Sequence, residues 1–379
     1  MTTPSPVPSV AHMLLEIHEQ PDALRAAVDA AVAPAQAIAA ELARRNIDQI
    51  VIAARGTSDH AALYGQYVFQ YLNAIPVTLA TPSLFTVYRG SLRLDHALVI
   101  GISQSGETPE IVEVLSTARQ AGAYAVGITN IDGSPLTQVA DQTLLCHAGL
   151  EQSIAATKTY TTTCAILAAL AAALPGGEAI QASLPRLPDL VGAALAAEET
   201  VERAVTRYVF ARDCIVLGRG FQYSTAREAA LKLEETCYVI ATPFSTSDFR
   251  HGPAALIERG VPVIVFAPPG RTADEADELL HWLREHDADC IVVSSEARLL
   301  ELATTPIPMH LPALRPASDQ QASTAPAAGE AGVGNVSIDE LLAPIPYIVP
   351  GQLFAHYLAR AKGLDPDHPR GLSKVTRTY

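Results

Sequence analysis

Short apolar runs alternate along this chain with longer segments of helical period. The runs Ala97–Ile102 and Val261–Phe266 are each followed by a polar loop and then by a helical pattern, at Ile111–Ala121 and Glu275–Arg284. Strands of a parallel sheet are buried on both faces, so they read as continuous apolar runs. The pattern therefore predicts an α/β fold with parallel sheets covered by helices.

The same pattern occurs twice at a fixed offset. A strand-like run leads to Arg55-Gly56, and another leads to Arg219-Gly220, 164 residues later (220 − 56). Gly106 and Gly270, which follow the next strand-like run of each half, repeat that offset (270 − 106). Two landmarks at one offset indicate a duplicated unit whose copies differ in their loops.

The repeat sets the predicted domain organisation. We predict two α/β domains with doubly wound sheets, residues 22–193 and 194–360, between an N-terminal segment, 1–21, and a C-terminal tail, 361–379. A chain of 379 residues also favours two domains. Ala313–Val336 mixes Ala, Ser, Gln, Gly and Pro without an apolar period, which predicts a mobile surface insertion.

Composition narrows the function class. The net charge of −14 argues against a broad nucleic-acid or anionic-membrane surface, because either needs a clustered basic face. The five cysteines form no C-x-x-C pair, so we expect unlinked thiols and no metal site. No cofactor is expected. The N-terminus lacks a secretory pattern, and the longest apolar run, Cys164–Leu174, is too short to span a bilayer. We predict a cytoplasmic protein.

A hydroxyl-rich loop follows the strand Ala97–Ile102. It carries Ser103, Gln104, Ser105, Gly106 and Thr108 just before a helical segment. A helix N-terminus offers free N–H groups and partial positive charge, and hydroxyls add neutral donors, so the loop is predicted to bind a phosphate. Thr57 and Ser58, after the preceding strand, are predicted to share the pocket. The alternative for Thr108 is a plain N-cap followed by Pro109.

Three charged residues share one face of a predicted helix in the second half. Glu228, Lys232 and Glu235 stand at i, i+4 and i+7. The commoner meaning of such spacing is an exposed salt-bridge ladder. The alternative is a proton-transfer site in which the ammonium tunes a carboxylate, with His251 in a nearby loop as a second acid or base.

Six motifs resemble, in order, the sugar isomerase (SIS) family, in the form of the isomerase half of glucosamine-6-phosphate synthase. They are Ser103–Thr108, Glu151–Lys158, Leu217–Gly220, Glu228–Glu235, His251–Pro253 and Pro369–Lys374. The resemblance runs from about His12 to Lys374. It implies two tandem flavodoxin-like SIS domains and a homodimer with a shared active site.

The resemblance also implies residue roles. Thr57, Ser58, Ser103, Gln104, Ser105 and Thr108 would bind the sugar phosphate, together with Ser373 in the last motif. Glu235 would carry a proton between C1 and C2, His251 of the neighbouring subunit would open the sugar ring, and Lys374 would form a Schiff base. Glu228 and Lys232 would support the site.

Departures from the family pattern guide the choice of reaction. Arg55 stands where the synthase has a cysteine, Ala156 replaces a serine, and only about a dozen residues precede the match, so no glutaminase domain is expected. We therefore expect a glucosamine-6-phosphate deaminase that releases fructose 6-phosphate and ammonia. The alternatives are a fructosamine-6-phosphate deglycase, a synthase that uses free ammonia or a partner glutaminase, and a non-catalytic sugar-phosphate sensor.

Overall fold

A computed structural model describes residues 11–90, 92–314 and 336–374. Most of the predicted insertion, 315–335, lies outside the described residues. Within the described part, two α/β halves follow one another along the chain.

The first half contains five strands and the helices that cover them. The strands are β1 Gln49–Ala53, β2 Val77–Leu79, β3 Ala97–Ile102, β4 Tyr124–Thr129 and β5 Gln142–Leu145. The helices are α1 His12–His18, α2 Gln20–Arg45, α3 Thr57–Asn73, α4 Pro82–Thr86, α5 Pro109–Gln120, α6 Pro135–Val139 and α7 Lys158–Ala173. Every residue of β3 and β4 is buried, as expected for strands covered on both faces.

Short helices lead into the second half. They are α8 Glu178–Gln181, α9 Leu187–Ala194 and α10 Glu198–Ala204, with 3₁₀ turns at Leu184–Arg186, Leu195–Ala197 and Val205–Tyr208. The second sheet has β6 Asp213–Gly218, β7 Ile240–Ser245, β8 Pro262–Phe266, β9 Asp289–Ser294 and β10 Thr305–Pro308. Its helices are α11 Gln222–Cys237, α12 Thr246–Arg250, α13 Ala273–Glu285, α14 Ala297–Leu300, α15 Ile338–Leu342 and α16 Pro344–Ala361, with a 3₁₀ turn at Pro253–Leu256.

Both sheets are parallel and have the same topology. The strand orders are β2-β1-β3-β4-β5 and β7-β6-β8-β9-β10, and the registers match, with Ile50 opposite Leu98 and Ile215 opposite Val263. The chain winds in opposite directions from β1 and β3, and again from β6 and β8. Each sheet thus has a switch point, the place where doubly wound sheets bind ligands. The predicted fold of two tandem doubly wound units is confirmed.

One apolar core runs through both halves. It joins α2 and α7 of the first half to α11 and α16 of the second, and α3 packs on α11. α2 continues through Pro34, and it is long and apolar enough to cross a membrane by length and composition. Its buried stripe, which includes Leu24, Val28 and Ile38, packs mainly against α7, as in a core helix of a folded domain.

Candidate active site

The hydroxyl-rich loop lies at the switch point of the first sheet. It connects β3 to α5, and the neighbouring loop, Ala54–Gly56, connects β1 to α3. The two loops are therefore adjacent at the carboxyl edge of the sheet, where ligands bind in folds of this type. The predicted phosphate-binding residues of both loops are brought to one edge.

Within the loop, the hydroxyls of Ser103 and Thr108 bond to each other, and that of Thr108 does not cap the helix. Ser103 Oγ lies 2.9 Å from Thr108 Oγ1, and Ser105 Oγ accepts the Glu107 N–H at 3.2 Å. Thr108 occupies the N-cap position of α5 but makes no side-chain cap bond. Thr108 and Pro109 thus take the N-cap and first helical positions of the plain alternative, but the Thr108 hydroxyl pairs with Ser103 and makes no cap bond to the first turn of α5.

Gly106 lets the loop pass close to the following loop of the sheet. Its φ is +66°, and a Cβ there would lie 2.0 Å from Ser134 Oγ and 2.9 Å from Thr129 Oγ1. A side chain would push Ser134 and the loop apart, since a contact of 2.0 Å cannot be accommodated. The glycine is required both for the left-handed conformation and for the close approach.

Since the loop is predicted to bind the phosphate of a sugar phosphate, Gly106→Ala should weaken that binding at least about tenfold, because it displaces the loop that positions the hydroxyls. Gly133→Ala is the matched control, since Gly133 has φ +72° but open space around its Cβ position. The control should lower the free energy of unfolding by only about 1–2 kcal/mol, the penalty for a left-handed backbone at a residue that carries a Cβ. Binding is measured by calorimetry with fructose 6-phosphate, and equal affinity of the two variants would contradict this account of the loop.

An arginine–glutamate pair spans the switch point in both halves. Arg55 donates two hydrogen bonds to Glu110, the second residue of α5, at 2.9 and 3.3 Å. In the second half Arg219 Nε donates to Glu275, in the first turn of α13, at 2.9 Å. Both copies therefore contain an arginine–glutamate salt bridge between the two segments that meet at the switch point, and we call these bridges the first and second clamp. The sequence pattern did not reveal them.

The second switch point is filled by the protein itself. A Cβ on Gly270 would lie 2.4 Å from Glu340 Oε2, and this carboxylate accepts the backbone N–H of Arg271 at 3.1 Å. Burial raises the pKa of Glu340, and the contact with Arg271 opposes this shift. A carboxylate from α15 thus occupies the loop of the second copy that corresponds to the hydroxyl-rich loop of the first.

The three charged residues of α11 form a cluster that joins the two halves. Lys232 Nζ lies 3.3 Å from Glu228 Oε1 and 2.6 Å from Glu235 Oε2. Thr57, the first residue of α3, donates to Glu228 at 3.0 Å and accepts from Lys232 at 3.2 Å. His60 Nδ1 lies 2.7 Å from the other Glu228 oxygen and donates to it, because an ionised carboxylate only accepts.

Burial separates the roles of the cluster members. The side chains of Glu228 and Lys232 are 0% exposed, whereas Glu235 is 21% exposed. The exposed ladder that periodicity alone favoured is therefore wrong, since helix α11 packs this face against α3. Glu235 is therefore the partly exposed member of this cluster.

The electrostatics keep Glu228 and Lys232 charged. Burial alone would raise the pKa of Glu228, but Lys232, His60 and Thr57 outweigh it and lower the pKa. Burial likewise would lower the pKa of Lys232, yet the two carboxylates outweigh it and raise that pKa. Lys232 is consequently an ammonium at neutral pH and faces the carboxyl group of Glu235.

Lys374 lies in a separate group of contacts. Its Nζ donates to Glu151 Oε2 at 2.9 Å and to the carbonyl of Ser153 at 2.5 Å. Burial would raise the pKa of Glu151, but Lys374 and the hydrogen bonds from Thr157 and Thr159 outweigh it and lower the pKa. Glu151 begins one of the six motifs, but nothing in the sequence paired it with a residue 223 positions away.

The remaining predicted residues are His251, Ser58, Ser373 and Gln104. His251 is exposed at the end of α12, and no hydrogen bond of its side chain to Glu235 or Lys374 is found among the described residues. Ser58 is half-buried beside Thr57, and Ser373 is exposed next to Lys374. The backbone carbonyl of Gln104 accepts the Asn130 N–H at 3.0 Å.

The helix that precedes His251 is fixed by the second clamp. Thr246, the first residue of α12, donates to Glu275 at 2.6 Å, and Arg219 donates to Ser247 at 2.9 Å. The position of the histidine loop thus depends on the switch point of the second sheet.

Comparisons with known proteins find a family and relatives that are similar to this chain in sequence. Residues 41–173 and 209–299 match the family model described as the SIS domain. The chain is 36% identical over 367 residues to a glutamine–fructose-6-phosphate aminotransferase (isomerizing) from Pyrococcus horikoshii, covering 96% of this chain and 57% of that protein. The chain thus spans little more than half the length of this relative.

Solved structures give the same fold. The C-terminal domain of glucosamine-fructose-6-phosphate aminotransferase from Francisella tularensis superposes with a TM-score of 0.79 at 26% identity, covering 97% of this chain and all of that one. A glucosamine-6-phosphate deaminase from Thermotoga maritima has a TM-score of 0.72 at 19% identity, covering 97% and 100%. The second likeness, at that identity, shows the fold alone.

Proposed function

The chain belongs to the SIS domain family, and from this premise we propose that it is a sugar-phosphate isomerase. The proposed reaction converts fructose 6-phosphate and ammonia reversibly into glucosamine 6-phosphate and water. The observation that carries the proposal is the α11 cluster: the buried ammonium of Lys232 pairs with the partly exposed Glu235, and Thr57 joins the cluster to the switch point of the first sheet. A base beside a phosphate-binding loop is what an aldose–ketose isomerase needs.

Phosphate recognition is assigned to the first half. The hydroxyls of Ser103, Ser105 and Thr108 and the N-terminus of α5 provide neutral donors and partial positive charge without a basic side chain. Gln104, Thr57 and Ser58 lie on the same edge of the sheet. Fixing the phosphate there orients the carbon chain of the sugar relative to α11.

Proton transfer is assigned to Glu235. Its carboxylate removes a hydrogen as a proton from one of C1 and C2 and returns it to the other, through an enediol or enolamine. The Lys232 ammonium, 2.6 Å from Glu235 Oε2, fixes the position of this carboxyl group. Glu228, Thr57 and His60 fix Lys232 and do not have to touch the sugar.

His251 and Lys374 are assigned to ring opening and to the carbonyl at C2. A Schiff base at Lys374 converts the ammonium and the ketone into a protonated imine and one water, which carry the same atoms and charge. Ammonia then displaces the lysine from the imine carbon. Following the family resemblance, we assign His251, which is exposed at the end of α12, to the site of a second subunit in a homodimer.

The direction of the reaction differs from the sequence-based expectation. The sequence pattern favoured a deaminase, whereas the curated relative at 36% identity is named an aminotransferase. We therefore place amination first and deamination second, with the same residues acting in both directions. A fructosamine-6-phosphate deglycase and a non-catalytic sugar-phosphate sensor are the competing functions that an assay must separate from this one.

The test is direct assay of the purified chain in both directions. Fructose 6-phosphate with ammonium should give glucosamine 6-phosphate, and glucosamine 6-phosphate should give fructose 6-phosphate and ammonium. Faster turnover of a fructose-amino-acid 6-phosphate would favour the deglycase. Binding of the sugar phosphates without conversion in either direction would favour the sensor and contradict the proposal.

A further inference from the structure

The tail that carries Lys374 contacts both halves of the chain. At one point Asp367 accepts the N–H groups of His12 and Met13, both at 2.7 Å, which have no partner within α1. Near the end of the described tail lie the contacts of Lys374 with the loop that contains Glu151. Between these two points the tail touches the second half, at the end of α11.

The loop that receives Lys374 is held firmly within the first half. Glu151 accepts two backbone N–H groups at 3.0 and 3.1 Å, and its side chain is 0% exposed. Glu16, in α1, accepts the Ser153 N–H at 3.3 Å. The lysine is delivered to this fixed loop by the tail, so the path of the tail decides where the amine lies.

Tyr238 holds the tail to α11 by two separate contacts. It caps the C-terminus of α11, three positions after Glu235 (238 − 235). Its hydroxyl accepts the backbone N–H of Arg370 at 2.8 Å, and the Arg370 guanidinium lies 4.1 Å from the centre of its ring. Arg370 stands four positions before Lys374 (374 − 370). One side chain therefore joins the helix of the proposed base to the segment that carries the proposed amine.

The backbone of Tyr238 is unusual for a tyrosine. Its φ of +55° and ψ of +36° lie in the left-handed region, which Gly or Asn commonly occupies at a helix end. Asn46 ends α2 in this way, at φ +51°. Glycine would end α11 with less strain, so the helix end by itself does not require a tyrosine. The contacts with the tail account for the side chain.

We propose that Tyr238 is a positioning residue that sets the place of Lys374 relative to Glu235. The inference rests on the proposed function in one respect, namely that Lys374 and Glu235 act on the same sugar. Tyr238 does not have to touch the sugar, because it acts through the tail. A loosened tail would leave the hydroxyl-rich loop and the pair of Glu235 with Lys232 unchanged, since neither contains a residue of the tail.

The first experiment separates turnover from binding. Tyr238→Phe keeps the ring and removes the hydroxyl, and we expect kcat to fall about 2–10-fold, the contribution of one hydrogen bond. Tyr238→Leu removes both contacts with Arg370, and the loss should reach up to about 10²-fold, because a misplacement of about 1 Å can cost that much. KM for fructose 6-phosphate should stay nearly unchanged in both variants.

Variants of the tail test the same contact from the other side. Arg370→Met removes the guanidinium from the Tyr238 ring and should lower kcat about 2–5-fold, the contribution of an exposed cation–π contact. Arg370→Lys keeps a cation there and should recover most of the loss. Arg45→Met is the matched control, since Arg45 lies 5.0 Å from the centre of the Tyr124 ring, in the first half. This control should keep the wild-type kcat.

Tyr238→Gly distinguishes positioning from a role confined to the helix end. Glycine relieves the left-handed backbone, so a local role in ending α11 predicts turnover at or above the wild-type level. Positioning of the tail predicts a loss at least as large as that of Tyr238→Leu. Steady-state assays with fructose 6-phosphate and ammonium measure both variants.

Hydrogen–deuterium exchange of the tail does not depend on the reaction. The Arg370 N–H donates to the Tyr238 hydroxyl, so a peptide that contains this amide should exchange about 2–10-fold faster in Tyr238→Phe than in wild type. Arg45→Met should exchange there at the wild-type rate. Equal rates in Tyr238→Phe and wild type would show that the hydroxyl does not anchor the tail and would overturn the proposal.

The outcomes separate the anchor from the proposed function. Faster exchange of the tail with unchanged kcat and KM in every Tyr238 variant overturns the positioning role. Borohydride trapping of wild type with fructose 6-phosphate tests the covalent step at Lys374. If wild type shows neither turnover nor trapping while the exchange rates differ as expected, Tyr238 anchors the tail and the proposed function fails.

Discussion

Glu235→Gln is expected to lower turnover of the sugar phosphate by about 10²–10⁴-fold, the usual contribution of a general acid–base group. The amide keeps the size of the side chain but cannot take up a proton. Because Glu235 is the partly exposed end of a cluster whose other members are buried, the fold and phosphate binding should be preserved. The effect should therefore appear in kcat, with KM for the sugar phosphate nearly unchanged.

Glu234→Gln is the matched control for this prediction. Glu234 is the preceding residue of α11, exposed, and burial together with the charge of Glu235 raises its pKa. Lys232 pairs with Glu228 and Glu235 and not with Glu234, so the Glu234 amide should retain most of the turnover. Comparable losses in both variants would mean that charge on this helix, and not proton transfer by Glu235, controls the rate.

Lys232→Met should destabilise the protein by about 3–5 kcal/mol, since it leaves the buried carboxylate of Glu228 without its counter-ion. Thr57 and His60 would still donate to Glu228, but neither supplies a fixed positive charge. Urea unfolding measures the change. The double variant Lys232→Met, Glu228→Gln should recover part of the loss, because it removes the uncompensated charge.

The same helix offers a control for the loss of a cation. Arg227 is partly exposed and lies 3.6 Å from Asp59, so Arg227→Met should cost no more than about 1 kcal/mol. If Lys232→Met lowered the free energy of unfolding no more than Arg227→Met, the buried pair of Lys232 and Glu228 would contribute little to stability. If the double variant were less stable than Lys232→Met alone, the charge argument would be wrong.

The fold was largely predictable because the strands are read directly from local sequence. Buried parallel strands are continuous apolar runs, and duplication displayed each landmark twice, at Gly56 and Gly220 and again at Gly106 and Gly270. The hydroxyl-rich loop was also visible, since all its donors lie within six residues of chain. The residue types of this loop, and the rule that parallel sheets bind ligands at the carboxyl ends of their strands, together predicted this edge of the candidate site.

The other contacts of the candidate site could not be predicted in this way, because they join parts of the chain that are distant in sequence. Periodicity favoured an exposed ladder for Glu228 and Lys232, because it cannot report that α3 covers this face of α11. His60 is 168 residues from Glu228, and Glu16 is 137 residues from Ser153. Neither Glu16 nor His60 stands in a motif with chemical meaning of its own. Their roles arise only from packing.

The two copies of the fold share the same framework but differ in the side chains at their switch points. The clamps Arg55–Glu110 and Arg219–Glu275 persist in both, so the geometry of each switch point was preserved. In the first copy the adjoining loop presents hydroxyls, and in the second it holds the carboxylate of Glu340. The first switch point is thus the one proposed to bind an anion, whereas the carboxylate of Glu340 fills the second.

Hydrogen exchange at C1 of fructose 6-phosphate tests the central claim most directly, because it follows the proton that Glu235 is proposed to move. With the wild-type chain in D₂O and no ammonia, proton NMR should show one C1 hydrogen replaced by deuterium, and Glu235→Gln should slow this exchange by about 10²–10⁴-fold. Retention of both C1 hydrogens at saturating sugar phosphate, or equal exchange rates in the two proteins, would contradict the account.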